Sequence, residues 1–134
     1  TDIHAAIGRS QLGRLQENAP RRRQIAEVYF EEIKGVQLPS VDSRAFHVFH
    51  QFTISVPAEE RDSFVEQLRV HGVGVGIYYP TPVHRLPAFN RSSVLPATEA
   101  AAQGVVSLPV YPSLTESDLE HICSSVNSVA AAGA

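Results

Sequence analysis

The sequence predicts an α+β domain: a small, mostly antiparallel sheet of about three strands with helices packed on one face. Three observations carry this expectation. Residues 46–56 alternate between apolar and polar, several stretches repeat apolar residues at helical spacing between recognisable caps, and each of those stretches carries a single apolar stripe. Strands this few and helices of this kind are most economically combined in two layers. A chain of 134 residues fits one domain and can bury a sizeable core without staples.

The elements follow in order. Asp2 can cap a helix whose apolar positions Ile3, Ala6, Ile7, Leu12 and Leu15 keep approximate helical spacing, and Pro20 is expected to break or kink it. Ile25, Val28, Tyr29 and Ile33 continue a second amphipathic stretch that stops at Gly35, a residue suited to a left-handed C-cap. After the linker "VQLPSVDSR", a long strand is expected from Phe46 to Val56, with Phe46, Val48, His50, Phe52, Ile54 and Val56 on one face. "AEERDSFVEQLRVHG" reads as a helix burying Phe64, Val65 and Leu68 and ending at Gly72. In the next strand Val75, Ile77 and Tyr79 alternate with Gly74, Gly76 and Tyr78. "TEAAAQG" is a short helix, and "VVSLPV" a third strand that Pro109 confines to an edge or ends early. Thr115 and Asp118 have capping-box spacing ahead of a helix that buries Leu119, Ile122, Cys123 and Val126, and the alanine-rich tail after Val129 is expected to fray.

Composition narrows the function. Eleven basic and fourteen acidic residues give a net charge of −3, which speaks against a general electrostatic grip on nucleic acid. No apolar run approaches a membrane span, and the single cysteine leaves no internal disulfide, so the reading is a soluble, cytoplasmic chain. The chain has no methionine and starts within a helical pattern, so residue 1 reads as a cut through a longer protein.

Several candidate groups have plainer explanations. His47 and His50 resemble a metal pair, but three residues apart on a strand they point to opposite faces. His50 is either a hydrogen-bonded core histidine or, if its face lines a cleft, a site residue. Gly72, Gly74 and Gly76 lack the spacing of a dinucleotide loop and more simply allow close approach of another backbone or ring. Arg21, Arg22 and Arg23 read as a solvated face among glutamates rather than a phosphate site. Cys123, on a buried stripe, reads as an inert core thiol. The stretch "YYPTPVHRLPAF" differs. Pro80, Pro82 and Pro87 stiffen it, and it carries Tyr78, Tyr79, His84 and Arg85 as candidate substrate-binding residues whose ordering has been met in advance.

Four stretches, "DIHAAIGRSQLGRL", "FHQFTISV", "RDSFVEQLRVHGVGVGIYYPTPVH" and "LPATEAAAQGVVSLPVYPSLTESDLEHI", resemble in that order the C-terminal part of the DegT/DnrJ/StrS family of sugar aminotransferases. The resemblance implies the small C-terminal domain of a fold-type I enzyme. Such an enzyme uses pyridoxal phosphate to move an amino group, commonly from glutamate, to the keto carbon of a nucleotide sugar, in cell-surface polysaccharide or antibiotic sugar biosynthesis. It further implies a homodimer, with residues 1–35 as interdomain and dimer-interface helices, residues 36–134 as the small domain, and the cofactor-binding large domain upstream of Thr1. Tyr79, Pro80, Pro82 and His84 match the segment that in the family approaches the sugar-nucleotide pocket, and Tyr78 stands where histidine is frequent. The only lysine, Lys34, matches none of the family's lysine motifs. The resemblance therefore implies no catalytic or cofactor-binding residue in this chain, no cofactor bound to it and no transamination by it alone. The rival reading is a free-standing α+β module that binds a small ligand or regulates.

Overall fold

The computed structural model describes residues 1–89 and 91–133. Two helices lead, α1 (Asp2–Gly13) and α2 (Leu15–Glu32). They are followed by β1 (Phe52–Ser55), α3 (Arg61–Val70), a 3-10 turn (Val83–Arg85), α4 (Pro96–Gly104), β2 (Val105–Leu108) and α5 (Glu116–Ala132). The α+β class is as expected.

The sheet is smaller than expected. β1 and β2 pair antiparallel, Phe52 opposite Leu108 and Ser55 opposite Val105. The glycine-spaced run contributes one bridge instead of a full third strand, with Gly76 and Ser107 exchanging backbone bonds of 3.0 and 2.7 Å. Glycines offer no side chains to hold a longer ladder, and Pro80 offers no donor. On the other side, Gln37 bridges Ser55 through bonds of 3.0 and 2.8 Å.

The long strand expected over 46–56 is confined to 52–55. Phe49 takes a left-handed backbone, φ 45°, and its N–H donates to Nδ1 of His47 at 3.0 Å. The turn reverses the alternation, so that Phe49 is buried while Phe46 is 76 % exposed and His50 lies at the surface. Packing explains the exchange. The Phe49 ring stands 6.0 Å from both Phe30 and Phe52, and burial of an aromatic ring outweighs the ~1–3 kcal/mol of a left-handed residue.

Other departures are local. Thr1, rather than Asp2, is the N-cap of α1, accepting from the His4 N–H. The helix interruption falls at Arg14, and Pro20 sits inside α2. The proline ring opposes the carbonyl four residues back, at Gln16, so the distortion lies upstream of the proline itself. α5 continues to Ala132 instead of fraying. Val129 is buried there, and Ala130 lies against Gly35. The α2 helix ends at Glu32 with an extended Ile33 as its C-cap, so Gly35, with φ 76°, turns the chain beyond the helix instead of capping it as expected. Asn127 joins the same two elements: its Oδ1 accepts from the Lys34 N–H at 2.7 Å and its Nδ2 donates to the Glu32 carbonyl at 2.9 Å. Gly72, with φ 79°, closes α3, and Thr115 and Asp118 form the capping box of α5.

The core follows the predicted stripes. Ile25 and Tyr29 of α2 with its C-cap Ile33, Phe64 and Leu68 of α3, and Leu119, Ile122 and Val126 of α5 close over Phe52, Ile54, Val106 and Leu108. Each such burial contributes roughly 1.5–3 kcal/mol against exposure. Thr53 and Ser107 point to the opposite side of the sheet, where their hydroxyls meet at 2.8 Å. Among the described residues no helix is long and apolar enough to cross a membrane.

Candidate functional site

The cleft is made where α2, the chain preceding β1, the glycine-spaced run and the end of β2 converge. It encloses about 540 Å³ and is lined by Arg22, by His50 and Gln51, by Gly74–Gly76 with Tyr78 and Tyr79, and by Ser107–Val110. Each wall has a local cause. Gly76 is held to Ser107 by the bridge, so the tyrosines leave the sheet at a fixed point. The Tyr78 ring then folds back over Gly76, where a Cβ would lie 2.4 Å from its Cε2. Glycine at 76 lets the ring that follows it take this position, whereas a Cβ at Gly74 would meet nothing within 4 Å, contrary to the close approach expected there. The peptide between Tyr78 and Tyr79 is cis.

The floor hangs from α2. Tyr29, fully buried, donates its hydroxyl to the Pro109 carbonyl at 2.6 Å, and burial first, then Cys123, raises its pKa. One residue on, the Val110 carbonyl accepts from Nη1 of Arg22, which also reaches the carbonyls of Phe49 and His50 at 3.4 Å. The arginine cluster is thus not a solvated face. Arg21 donates to the Leu114 carbonyl at 2.7 Å and pairs with Glu116 at 3.0 Å, and Arg23 lies 4.3 Å over the Phe46 ring.

Of the four predicted binding residues, Tyr78 and Tyr79 reach the cleft, 52 % and 77 % exposed. They also border a smaller, more apolar hollow of about 250 Å³ against Thr98, Ala101 and Val105. His84 and Arg85 line neither hollow. Both turn to α4, where His84 Nε2 donates to Oε1 of Glu99 at 2.9 Å and Arg85 donates to the same oxygen through Nε at 3.1 Å and Nη2 at 2.7 Å. The Leu95 N–H adds a fourth, weaker bond at 3.4 Å. His84 and then Arg85 hold the Glu99 carboxyl down at about 2. These two residues thus fasten the proline loop to α4, and Arg91 closes it by donating its N–H to the His84 carbonyl at 2.8 Å.

Glu99 was not among the candidates from sequence, although it is the one charged residue in "PATEAAAQG" and the proline loop upstream carries a histidine and an arginine. Arg22 was also missed, read as part of a solvated face; the available signal was that it lies seven residues before Tyr29 and shares its helix face. His50 is exposed and lines the cleft, which selects the second of the two readings made of it. His47 accepts from the Phe49 amide. Cys123 is buried, and burial, then Glu32, pushes its thiol up to about 11, as an inert core thiol requires. Lys34, at the end of α2, donates its Nζ to the Glu31 carbonyl and is outside the cleft. No lysine of the chain is therefore placed to hold pyridoxal phosphate there.

The structure matches an aminotransferase, TlmJ, from Streptoalloteichus hindustanus with a TM-score of 0.88 at 31 % identity, over 98 % of this chain and 37 % of that one. It matches S. venezuelae DesV, solved in complex with a ketimine intermediate, with a TM-score of 0.86 at 30 % identity, over 94 % of this chain and 35 % of that one. The family model of the DegT/DnrJ/EryC1/StrS aminotransferase family matches residues 1–127, and the chain belongs to that family. Among curated relatives, the dTDP-3-amino-3,6-dideoxy-alpha-D-galactopyranose transaminase of Aneurinibacillus thermoaerophilus is 33 % identical over 94 % of this chain and 35 % of its own length. The UDP-N-acetyl-3-dehydro-alpha-D-glucosamine 3-aminotransferase of Acidithiobacillus ferrooxidans is 35 % identical over 90 % of this chain and 33 % of its own length. The chain spans about a third of the length of these relatives.

Proposed function

We propose that this chain is the carboxy-terminal part of a pyridoxal-phosphate-dependent aminotransferase that transfers an amino group, from glutamate, to a keto nucleotide sugar. The observation that carries the reading is the cleft. Two tyrosines on a proline-stiffened exit line an open cavity, in a family whose named relatives are dTDP- and UDP-sugar transaminases. Tyr78 and Tyr79 contribute ring surface and hydroxyls to a sugar or base, at little ordering cost because the loop is already fastened through Glu99. His84 and Arg85 serve that binding by fixing the loop.

The cofactor chemistry belongs to other polypeptide. Pyridoxal phosphate needs a Schiff-base lysine, and the only lysine here is engaged at the end of α2. The chain alone is accordingly inactive. Residues 1–35 form the part that meets a large domain or a second copy of the chain, since Ile3, Ile7, Leu12 and Leu15 are all more than half exposed. The setting is the cytoplasm.

A chimera tests this reading. The chain replaces the matching third of the A. thermoaerophilus transaminase, and amino transfer to dTDP- and UDP-linked keto sugars is followed by product mass. Turnover is expected, with KM raised about tenfold by Tyr79→Ala through loss of a stacking surface. A chimera that folds and holds the cofactor but turns over no keto nucleotide sugar rules the reading out.

A further inference from the structure

We propose that Arg22 is the anion-recognition residue of the cleft and takes an anionic oxygen group, a carboxylate or a phosphate, of a bound molecule. The inference rests on the reading of this cleft as the substrate face and adds a ligand chemistry to it.

Half-buried guanidinium groups need compensation, because partial removal from water disfavours an isolated charge. The neighbours of Arg22 obtain it. Arg21 has Glu116 at 3.0 Å, and Arg23 lies on the Phe46 ring. Among the described residues Arg22 has no carboxylate. Its Nη1 is ringed by the carbonyls of Phe49, His50 and Val110, which offer dipoles and leave a unit positive charge uncancelled. Its Nε and Nη2 donate to no described residue, and among the described residues no unpartnered side-chain nitrogen is fully buried, so neither nitrogen is sealed from solvent. Both belong to a residue that lines the cleft.

The surroundings favour the same ligand. Among the described residues no carboxylate lines the cleft, while His50, Gln51 and the Tyr78 and Tyr79 hydroxyls supply hydrogen-bonding groups. Clamping Nη1 on three carbonyls fixes the guanidinium plane beforehand, so a two-oxygen contact through Nε and Nη2 needs little further ordering. A cavity of about 540 Å³ is too large for a lone anion, so the group is one end of a larger molecule. The carboxylate of an amino donor and the phosphate of a nucleotide or cofactor share this chemistry.

The experiment follows the arginine Nε–Hε resonances of the ¹⁵N-labelled chain during titration with glutarate and, separately, with inorganic phosphate at fixed ionic strength. Arg22→Lys assigns the Arg22 resonance. A saturable shift of that resonance is expected. Gln51→Glu, which leaves the carbonyl clamp intact but puts a like charge in the cleft, should weaken the affinity at least about tenfold. Response to glutarate alone identifies the amino donor, and response to phosphate alone identifies a phosphate-bearing ligand. No saturation with either anion, or unchanged affinity in Gln51→Glu, overturns the assignment. A chimera that turns over nucleotide sugars while the Arg22 resonance stays silent retains the functional reading and discards the anion site. Anion binding at Arg22 in a chimera without turnover does the reverse.

Discussion

The ring of Tyr78 occupies the space where a side chain at residue 76 would begin, and this sets the expected outcome of Gly76→Ala. The clash is with the free end of a tyrosine, which can swing away, so stability should change by less than about 1 kcal/mol while the ring leaves the cleft wall. Urea unfolding should show the small stability change, and a fall in nucleotide-sugar affinity the displaced ring. Gly35→Ala should behave oppositely. Its φ of 76° is strained for alanine, and the new Cβ would lie 2.9 Å from Cβ of Ala130, so a loss of about 1–3 kcal/mol is expected in the same titration. At Glu99 the pH dependence has a definite sign. Its folded-state pKa, about 2, lies below the ordinary 4.5, so the fastening of the loop is complete above about pH 4.5 and is lost as pH falls toward 2. Protection of the Leu95 and Arg91 amides relative to their intrinsic exchange rates should fall over that range, and Glu99→Gln should give about tenfold faster exchange at neutral pH. Unchanged exchange in the variant removes the fastening role. The sequence made Tyr78, Tyr79, His84 and Arg85 visible as a group because prolines bracket them. It did not show that the four divide between two partners, because the acid that draws two of them away comes from a helix fourteen residues beyond Arg85.

Helices were more legible than strands for a physical reason. A helix carries its own hydrogen bonds and caps, so Gly72 and the Thr115–Asp118 pair mark ends wherever the segment packs. The extent of a strand depends on its partners. Residues 46–51 alternate like a strand, but Phe49 gains more from the ring cluster with Phe30 and Phe52 than from continuing a ladder. The α5 cap gives a direct test. In Thr115→Ala the Asp118 N–H loses its acceptor, and a loss of about 1 kcal/mol is expected in chemical denaturation. The carboxyl of Asp118 is held low by the Thr115 hydroxyl and then by its N–H, so this cap too weakens as acid protonates the aspartate.

For the molecule as a whole, α1 is the exception to burial. It has no buried residue, and Ile3, Ile7 and Leu12, with Leu15 just beyond it, form an uncovered stripe. Self-association through that stripe is expected, so sedimentation velocity should show a species larger than the monomer that Ile7→Asp returns to monomer. The same association in the variant would assign the stripe to a different contact, as the free-standing module requires. Elsewhere the layers agree with their patterns, since each apolar stripe read from spacing closes on one sheet face.

The hold of α2 on the cleft floor has a consequence for how this fold can vary. Arg22 and Tyr29 grip adjacent carbonyls from positions two helical turns apart, so the floor is in phase with the helix. Inserting a single residue between them would rotate one grip by about 100° relative to the other, and the chain after β2 could satisfy only one. Insertions and deletions should therefore accumulate in the linker 36–44 and leave residues 22–29 at constant length, a spacing rule that sequences of this architecture can be checked against.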